Sequence, residues 1–290
     1  MPCPAGIRGP ALSVRRAVSV LFARWPTRIA ILLTGSIVTL ALAAPLVTHA
    51  SPFELHLKDK LSGPSPSHVL GTDEFGRDLL SRLLYGGRLS LRAASIAVTV
   101  AAVTGTGTGL LSGYIGGWVD AFLTRSWDIL LAFPVILVGL VVVTILGPSE
   151  LSATLAVTIV NIPIFSRLAR GSTLVEIRKP HVEAARSIGA TEIRIMARHV
   201  LPNIVPPLIT QTANAAATAV LLEAAFSFLG LGVQPPNPSW GAMLQQARLF
   251  LVVNPWYGLF PGLLITMFVL CLNILADGLQ NLVNPAQRRS

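Results

Sequence analysis

Charged residues are scarce in this sequence. Asp, Glu, Lys and Arg together make up 12% of the 290 residues, against about 25% in soluble globular domains. Hydrophobic residues account for 52%, and the mean hydropathy is +0.67. This balance argues against a soluble domain. It predicts an all-α, polytopic membrane protein, a helical bundle whose apolar segments cross the bilayer.

Acidic residues are fewer than basic ones, 13 against 22, which gives a formal net charge of +9. Such an excess can indicate a nucleic-acid partner. Here the basic residues are distributed over loops between apolar segments, and no aromatic stacking platform accompanies them. The charge therefore favours a role in setting membrane topology, and we expect no nucleic acid among the partners.

Cysteine is also scarce. The two cysteines, Cys3 and Cys271, are far apart and have neither the spacing of a disulfide framework nor that of a metal site. The letters GTGTG at 105–109 do not fit the phosphate-binding loop pattern, and no strand precedes them. We expect no catalytic residues, no metal and no cofactor bound by this chain.

Six apolar segments are long enough, or nearly so, to cross about 30 Å of hydrocarbon. They are 29–48, 90–113, 128–147, 151–168, 205–229 and 257–279. Each is predicted to be a helix, because backbone groups in lipid must be satisfied internally. The fourth is the weakest, since Asn161 and Pro163 interrupt it. The first is too long for a signal-peptide core and is read as an uncleaved span.

The distribution of basic residues predicts the orientation. With the N-terminus in the cytoplasm, 15 of the 22 Lys and Arg fall in cytoplasmic segments, so both termini are predicted to be cytoplasmic. The predicted organisation is a cytoplasmic segment 1–28, a first span 29–48, an extracytoplasmic segment 49–89, a core 90–280 with five spans, and a cytoplasmic tail 281–290. Within the core, a basic cytoplasmic loop covers 169–203.

The second span carries glycines at four-residue intervals. They are Gly105, Gly109, Gly113 and Gly117. Glycines at this spacing form one bare ridge along a helix, which allows another helix to approach closely. Helix packing is the predicted role.

A carboxylate lies inside the fifth predicted span. Glu223 is costly to bury in lipid, so it is a functional-site candidate. Together with Asn214 it is a possible part of a translocation path, and the alternative is a structural hydrogen-bond acceptor between helices. No proton relay is visible, because the other acidic residues and the histidines lie at span ends or in loops.

Two extracytoplasmic stretches carry further candidates. Asp73, Glu74 and Asp78 alternate with arginines, which favours mutual ion pairs over a metal site. The Pro- and Gly-rich loop before the last span carries Trp240 and Trp256, for which interfacial anchoring is the ordinary interpretation. The alternative for that loop is a re-entrant or docking element at the outer mouth.

The cytoplasmic loop contains EAARSIGATEIRIMARHVLPN at 183–203. Small residues on a short helix are followed by Gly189, which permits a turn with positive φ. Ile193, Met196 and Val200 then recur at helical spacing and predict a second amphipathic helix, which Pro202 ends before the next span. This predicts a helix–turn–helix docking element without a catalytic constellation.

This loop resembles the EAA loop of ABC-importer permeases, in which EAA, three residues, Gly, nine residues, Ile, one residue and Leu-Pro follow one another. The sequence matches at Glu183-Ala184-Ala185, Gly189 and Leu201-Pro202, and departs from the pattern at His199. The stretches LGTDEFGRDLLSRLLYGGRLSL (70–91) and FSFLGLGVQPPNPSWGAML (226–244) are similar to the C-type subunits of the oligopeptide, dipeptide and nickel permease family.

The resemblance implies a permease with a MetI-like core in the bacterial inner membrane. It implies a second homologous permease, two cytoplasmic ATPases that bind ATP and Mg, and an extracytoplasmic substrate-binding protein. The matched residues Glu183, Ala184, Ala185, Gly189, Leu201 and Pro202 would form the ATPase-coupling site. The implied cargo is di- or oligopeptides, with nickel or another small solute as the alternative. A membrane-embedded enzyme and a proton-coupled transporter are further alternatives, which would work without partner ATPases.

Overall fold

A computed structural model describes residues 25–48 and 50–283. Eleven α-helices follow one another in the described residues. They are α1 (Trp25–Leu42), α2 (Ala44–Val47), α3 (Leu79–Ile115), α4 (Gly117–Leu131), α5 (Val135–Leu146), α6 (Glu150–Glu176), α7 (Pro180–Ser187), α8 (Glu192–Ile195), α9 (Leu201–Phe228), α10 (Trp240–Ala247) and α11 (Trp256–Val283). A 3₁₀ turn covers Leu57–Asp59, a π-helical segment covers Met196–Val200, and the described residues contain no strand. Residues 1–24 and 284–290 of the predicted cytoplasmic termini lie outside the described residues, as do Cys3 and His49.

Five helices among the described residues are long and apolar enough to cross a membrane. In this count, α8, the π-helical segment and α9 form one helix, Glu192–Phe228. A sixth span exists if α4 and α5 together form one, since the two are bent by 94° at a short break. The third predicted span, 128–147, is therefore not one straight helix. Pro134 lies at the break and is the N-cap of α5. With 12 residues, α5 is about 18 Å long and is too short to cross the hydrocarbon alone.

The second spanning helix extends well beyond its predicted bounds. α3 begins at Leu79, where Asp78 caps it by accepting a hydrogen bond from the Ser81 N–H at 2.8 Å. Its 37 residues give a length of about 55 Å, which exceeds the bilayer core. The first turns of α3 therefore belong to the extracytoplasmic segment, which was predicted as 49–89.

The fourth predicted span is one continuous helix, α6, from Glu150 to Glu176. Neither Asn161 nor Pro163 ends it, although both interrupt the apolar pattern. Both side chains are buried, and Asn161 Nδ2 donates to the Val157 carbonyl at 2.8 Å. The proline is thus enclosed by protein, where a local departure from helix hydrogen bonding is tolerated.

The closest helix pair is α3 against α6, and glycines make it possible. A Cβ atom on Gly105 would lie 2.6 Å from the Ile162 carbonyl oxygen, and one on Gly109 would lie 2.1 Å from the Ser166 carbonyl oxygen. Gly113 is similarly close to the backbone of α6. These three glycines therefore face α6 directly.

Gly117 does not belong to this ridge, contrary to the prediction. It begins α4 with φ +59°, and nothing lies within 4 Å of the position that its Cβ would occupy. The four-residue interval continues in the sequence, but α3 ends at Ile115, so helical periodicity does not extend to this position. Its glycine suits the left-handed backbone at the junction of α3 and α4.

Candidate coupling loop and outer network

Helix α7 presents the EAA residues in two directions. Pro180 stands in its first turn, where a missing N–H costs nothing. Val182 and Ala185 are buried against the rest of the protein, whereas Glu183 and Ala184 are exposed. Only the second alanine of the motif therefore contributes to the interior, and the outer face of the helix is open.

The turn after α7 requires glycine for its backbone conformation. Gly189 has φ +80°, its N–H donates to the Arg186 carbonyl at 3.0 Å, and the Ala190 N–H donates to the Ala185 carbonyl at 3.2 Å. These two bonds form a Schellman motif, which closes a helix C-terminus through a left-handed residue. No atom lies within 4 Å of a Cβ built at Gly189. Space is therefore available, and the constraint at this position is the sign of φ.

The second half of the loop differs from the predicted amphipathic helix. Ile195 and Val200 are buried, whereas Ile193 is 76% exposed. The reason is the π-helical segment Met196–Val200, which follows the single turn α8. A π turn contains more residues than an α turn, so a spacing of 3.6 residues carried across it assigns side chains to the wrong face.

Pro202 does not end this helix, contrary to the prediction. It stands in the first turn of α9, directly after the π-helical segment, and the chain continues helically from Glu192 to Phe228. A π segment rearranges the hydrogen bonds of the preceding turn, which accommodates a residue without an N–H. Leu201 is half-buried and Pro202 is exposed.

Two residues that sequence reasoning missed hold the loop in place. Glu176, at the end of α6, is buried and lies 2.5 Å from Lys179 Nζ and 3.2 Å from His181 Nε2. The Tyr114 hydroxyl, near the end of α3, donates to the Glu192 carboxylate. Glu192 also pairs with Arg186 at 3.4 Å, and its hydrogen bond raises the pKa of the Arg186 guanidinium. The two ends of the loop are thus tied to α6 and α3, and only the tertiary structure reveals these pairs.

The loop displays apolar side chains on its outer surface. Ile188 is 86% exposed, Ile193 is 76% exposed, and Val175 at the end of α6 is 64% exposed. We call Val175, Ile188 and Ile193 the cytoplasmic ledge. The predicted topology places it outside the bilayer, where exposed large apolar residues in one region are typical of a protein-binding surface.

Glu223 is enclosed within the protein. Its side chain is 1% exposed, and its Oε1 accepts a hydrogen bond from Ser227 Oγ at 2.8 Å. Its Oε2 has no hydrogen-bond partner among the described residues. Asn214, nearer the middle of α9, is half-buried. In this conformation the carboxylate is out of reach of a passing solute, and a place in the translocation path stays a prediction for both residues.

On the extracytoplasmic side, the mixed charges form a buried network. Asp73 is fully buried and lies 2.5 Å from Arg77 Nε and 3.2 Å from Arg82 Nε. Arg82 also reaches the Pro52 carbonyl at 3.2 Å and Gln246 Oε1 at 3.3 Å. The network therefore joins the segment before α3 to α3 itself and to α10.

The alternative of a metal site finds no support in this arrangement. Asp73 is committed to two arginines, and Asp78 caps α3 and contacts His68 at 3.1 Å. No group of three or more potential metal ligands occurs in the part of the chain that the structure describes.

Trp240 is a core residue, contrary to the interfacial interpretation. It is 1% exposed, its indole N–H donates to the Leu83 carbonyl at 3.0 Å, and its ring meets Phe268 edge-on at 5.8 Å. A buried tryptophan needs such a partner for its N–H. Trp256 is 41% exposed.

The helices long and apolar enough to span, five or six among the described residues, make this chain a polytopic membrane protein. The chain belongs to the family of binding-protein-dependent transport system inner membrane components, whose family model matches residues 105–289. The predicted family, fold class, inner-membrane location and role as a transport subunit, not an enzyme, are thereby confirmed.

Two relatives cover most of the chain. The dipeptide transport system permease protein DppC of Alkalihalophilus pseudofirmus is 43% identical over 260 residues, which are 90% of this chain and 86% of that protein. The glutathione transport system permease protein GsiD of Pectobacterium atrosepticum is 44% identical over 228 residues, 78% of this chain and 76% of that one.

A solved structure shares the fold. An inward-facing MetNI methionine ABC transporter superposes with a TM-score of 0.58 at 19% identity, over 70% of this chain and 96% of that chain. At this identity the match concerns the fold alone, and it agrees with the predicted MetI-like core.

Proposed function

We propose that this chain forms half of the translocation path of an ATP-driven importer for di- and oligopeptides. The support for the cargo comes from the two relatives, which are named for a dipeptide and for glutathione, itself a short peptide. The assembly proposed around it contains a second homologous permease, two ATPases that bind ATP and Mg, and an extracytoplasmic binding protein.

The observation that carries the proposal is the cytoplasmic ledge beside the Gly189 turn. Val175, Ile188 and Ile193 expose apolar surface in the same predicted cytoplasmic loop as the exposed, charged Glu183 and Arg186. A groove on an ATPase would cover this surface. Because α6 continues almost directly into α7, movement of α7 with the ATPase would displace a spanning helix and bias the permease between two states.

The extracytoplasmic loop between α10 and α11 supports the binding-protein partner. Leu249 is 75% exposed, Val252 is 99% exposed and Val253 is 68% exposed, and all lie at the predicted outer face. An exposed apolar group in this position suits docking of a soluble protein. The buried network of Asp73, Arg77 and Arg82 holds the neighbouring segment in place.

The test is uptake of a radiolabelled dipeptide by cells that carry the complete transporter with Gly189 variants in this chain. Gly189→Asp adds a negative charge beside the ledge, in a residue type that can adopt the φ of +80° found at this position. We expect normal insertion and strongly reduced uptake. Gly189→Asn is the matched control, because asparagine has nearly the same shape, also adopts this conformation and adds no charge.

Normal uptake by Gly189→Asp at equal protein level would contradict the coupling role. Isolation of the native chain in mild detergent should yield two ATPases and a second permease, with less ATPase retained by Gly189→Asp. Radioactive nickel is the competing cargo in the same cells. Uptake of nickel but not of dipeptide would reject the proposed cargo while leaving the coupling role intact.

A further inference from the structure

A partly open groove lies where α1, α3, α9 and α11 approach one another. It encloses about 790 Å³, which is within the range of small-molecule sites. Its walls are mainly apolar and include Val38 of α1, Val220 of α9, and Phe268 and Leu272 of α11. The coupling loop and the outer loop proposed for transport do not include this groove.

Two arginines stand at the rim of the groove, one turn apart on α3. Arg92 is paired with Glu150, since its Nη2 lies 2.7 Å from Glu150 Oε2. Arg88 is exposed and has no ion pair among the described residues. Tyr85 adds a hydroxyl to the same rim. One positive charge at the rim therefore remains without a counter-charge.

The depth of these residues matches a lipid headgroup. The second predicted span begins at residue 90, so Arg88 and Arg92 lie at its extracytoplasmic end, where long basic side chains reach the interface. On α1, Leu42, Val38 and Thr34 line the groove at successive intervals of four residues, about 6 Å each. The groove thus extends from the arginines along the helices into the hydrocarbon.

We propose that this groove binds one phospholipid with an anionic headgroup. The phosphate pairs with Arg88, whose planar guanidinium suits phosphate oxygens. One acyl chain lies along Val38, Phe268 and Leu272. A peptide is a poorer occupant, because these apolar walls cannot satisfy its backbone N–H and C=O groups.

The test uses the full chain, purified in an uncharged detergent and depleted of lipid, and measures bound lipid by native mass spectrometry. The probes are phosphatidylglycerol, which is anionic, and phosphatidylcholine, which is neutral overall. We expect one tightly bound phosphatidylglycerol and markedly weaker phosphatidylcholine. Arg88→Ala should weaken phosphatidylglycerol binding about tenfold, and Arg88→Lys, which keeps the charge but not the planar guanidinium, should weaken it less.

Arg248→Ala is the matched control, because it removes an exposed arginine from the same side of the membrane but outside the groove. It should leave binding unchanged. Ser95→Trp tests the cavity independently of charge. Ser95 is exposed and lines the groove, so the indole fills space without disturbing the core, and both lipids should lose affinity.

Three results would overturn the proposal. The first is equal binding of the two lipids, and the second is equal loss of binding in Arg88→Ala and Arg248→Ala. The third is displacement of the lipid by a soluble molecule. If sn-glycerol 3-phosphate displaces it, the site binds a free anion. If dialanine displaces it, the groove belongs to the cargo path.

Discussion

Replacement of Gly109 by alanine tests the packing of α3 against α6 most directly. The added Cβ would lie 2.1 Å from the Ser166 carbonyl oxygen and 2.9 Å from the carbonyl carbon. Ordinary contact begins at 3.4 Å, so the two helix backbones must separate locally by roughly 1 Å. The obstacle is backbone, which cannot rotate away as a side chain does. Overpacking of this kind costs about 1–3 kcal/mol.

Gly107 provides the matched control on the same helix. Nothing lies within 4 Å of a Cβ built there, and the residue is exposed. Gly107→Ala therefore gains only helix propensity, about 1 kcal/mol in favour of the folded state. The two variants have the same composition and differ only in the position of one methyl group.

The assay is thermal unfolding of the purified chain in detergent, followed by the loss of the monodisperse peak in size-exclusion chromatography. We expect Gly109→Ala to lower Tm by at least about 2 °C and Gly107→Ala to leave it unchanged or raise it. Equal Tm values for the two variants would refute the argument, because the close approach of α3 and α6 would then carry no energetic weight.

Asp73→Asn leaves Arg82 buried without a carboxylate partner and leaves Arg77 with only Glu74, at 3.5 Å. It should destabilise the chain by about 3–5 kcal/mol, seen as loss of folded protein in membranes, whereas Asp59→Asn at an exposed position should have no effect. Trp240→Phe removes the indole hydrogen bond to the Leu83 carbonyl and should lower the free energy of unfolding in detergent by at least about 1 kcal/mol. A decrease no larger than that caused by Trp256→Phe would contradict the assigned bond. Tyr114→Phe removes the hydroxyl contact with Glu192 and should reduce dipeptide uptake severalfold at unchanged Tm. Unchanged uptake would show that this hydrogen bond does not position the coupling loop.

The spans and the coupling loop were accessible from the sequence because both depend on local pattern. An apolar segment of about 20 residues has few alternatives to a membrane helix. The interval between Glu183 and Gly189 likewise specifies a helix followed by a left-handed turn, and the structure has both. The positive φ at Gly189 could be predicted because glycine, which lacks a Cβ atom, adopts that conformation readily.

The remaining features depend on contacts that no local pattern specifies. The bend at Pro134 lies inside an uninterrupted apolar segment, so hydropathy alone does not indicate a break. The π-helical segment shifts the buried face from Ile193 to Ile195, and a fixed helical period cannot represent that shift. The burial of Trp240 depends on Leu83, 157 positions away in the chain.

The glycine contacts between α3 and α6 also have a mechanical consequence. Bare backbone on one helix meets backbone of the other at three successive turns, so neither helix can slide or rotate against the other without collision. We therefore expect the two helices to move together over residues 105–113 and 162–173. Since α6 ends four residues before α7, a displacement applied at the cytoplasmic loop would be passed to α3 as well as to α6.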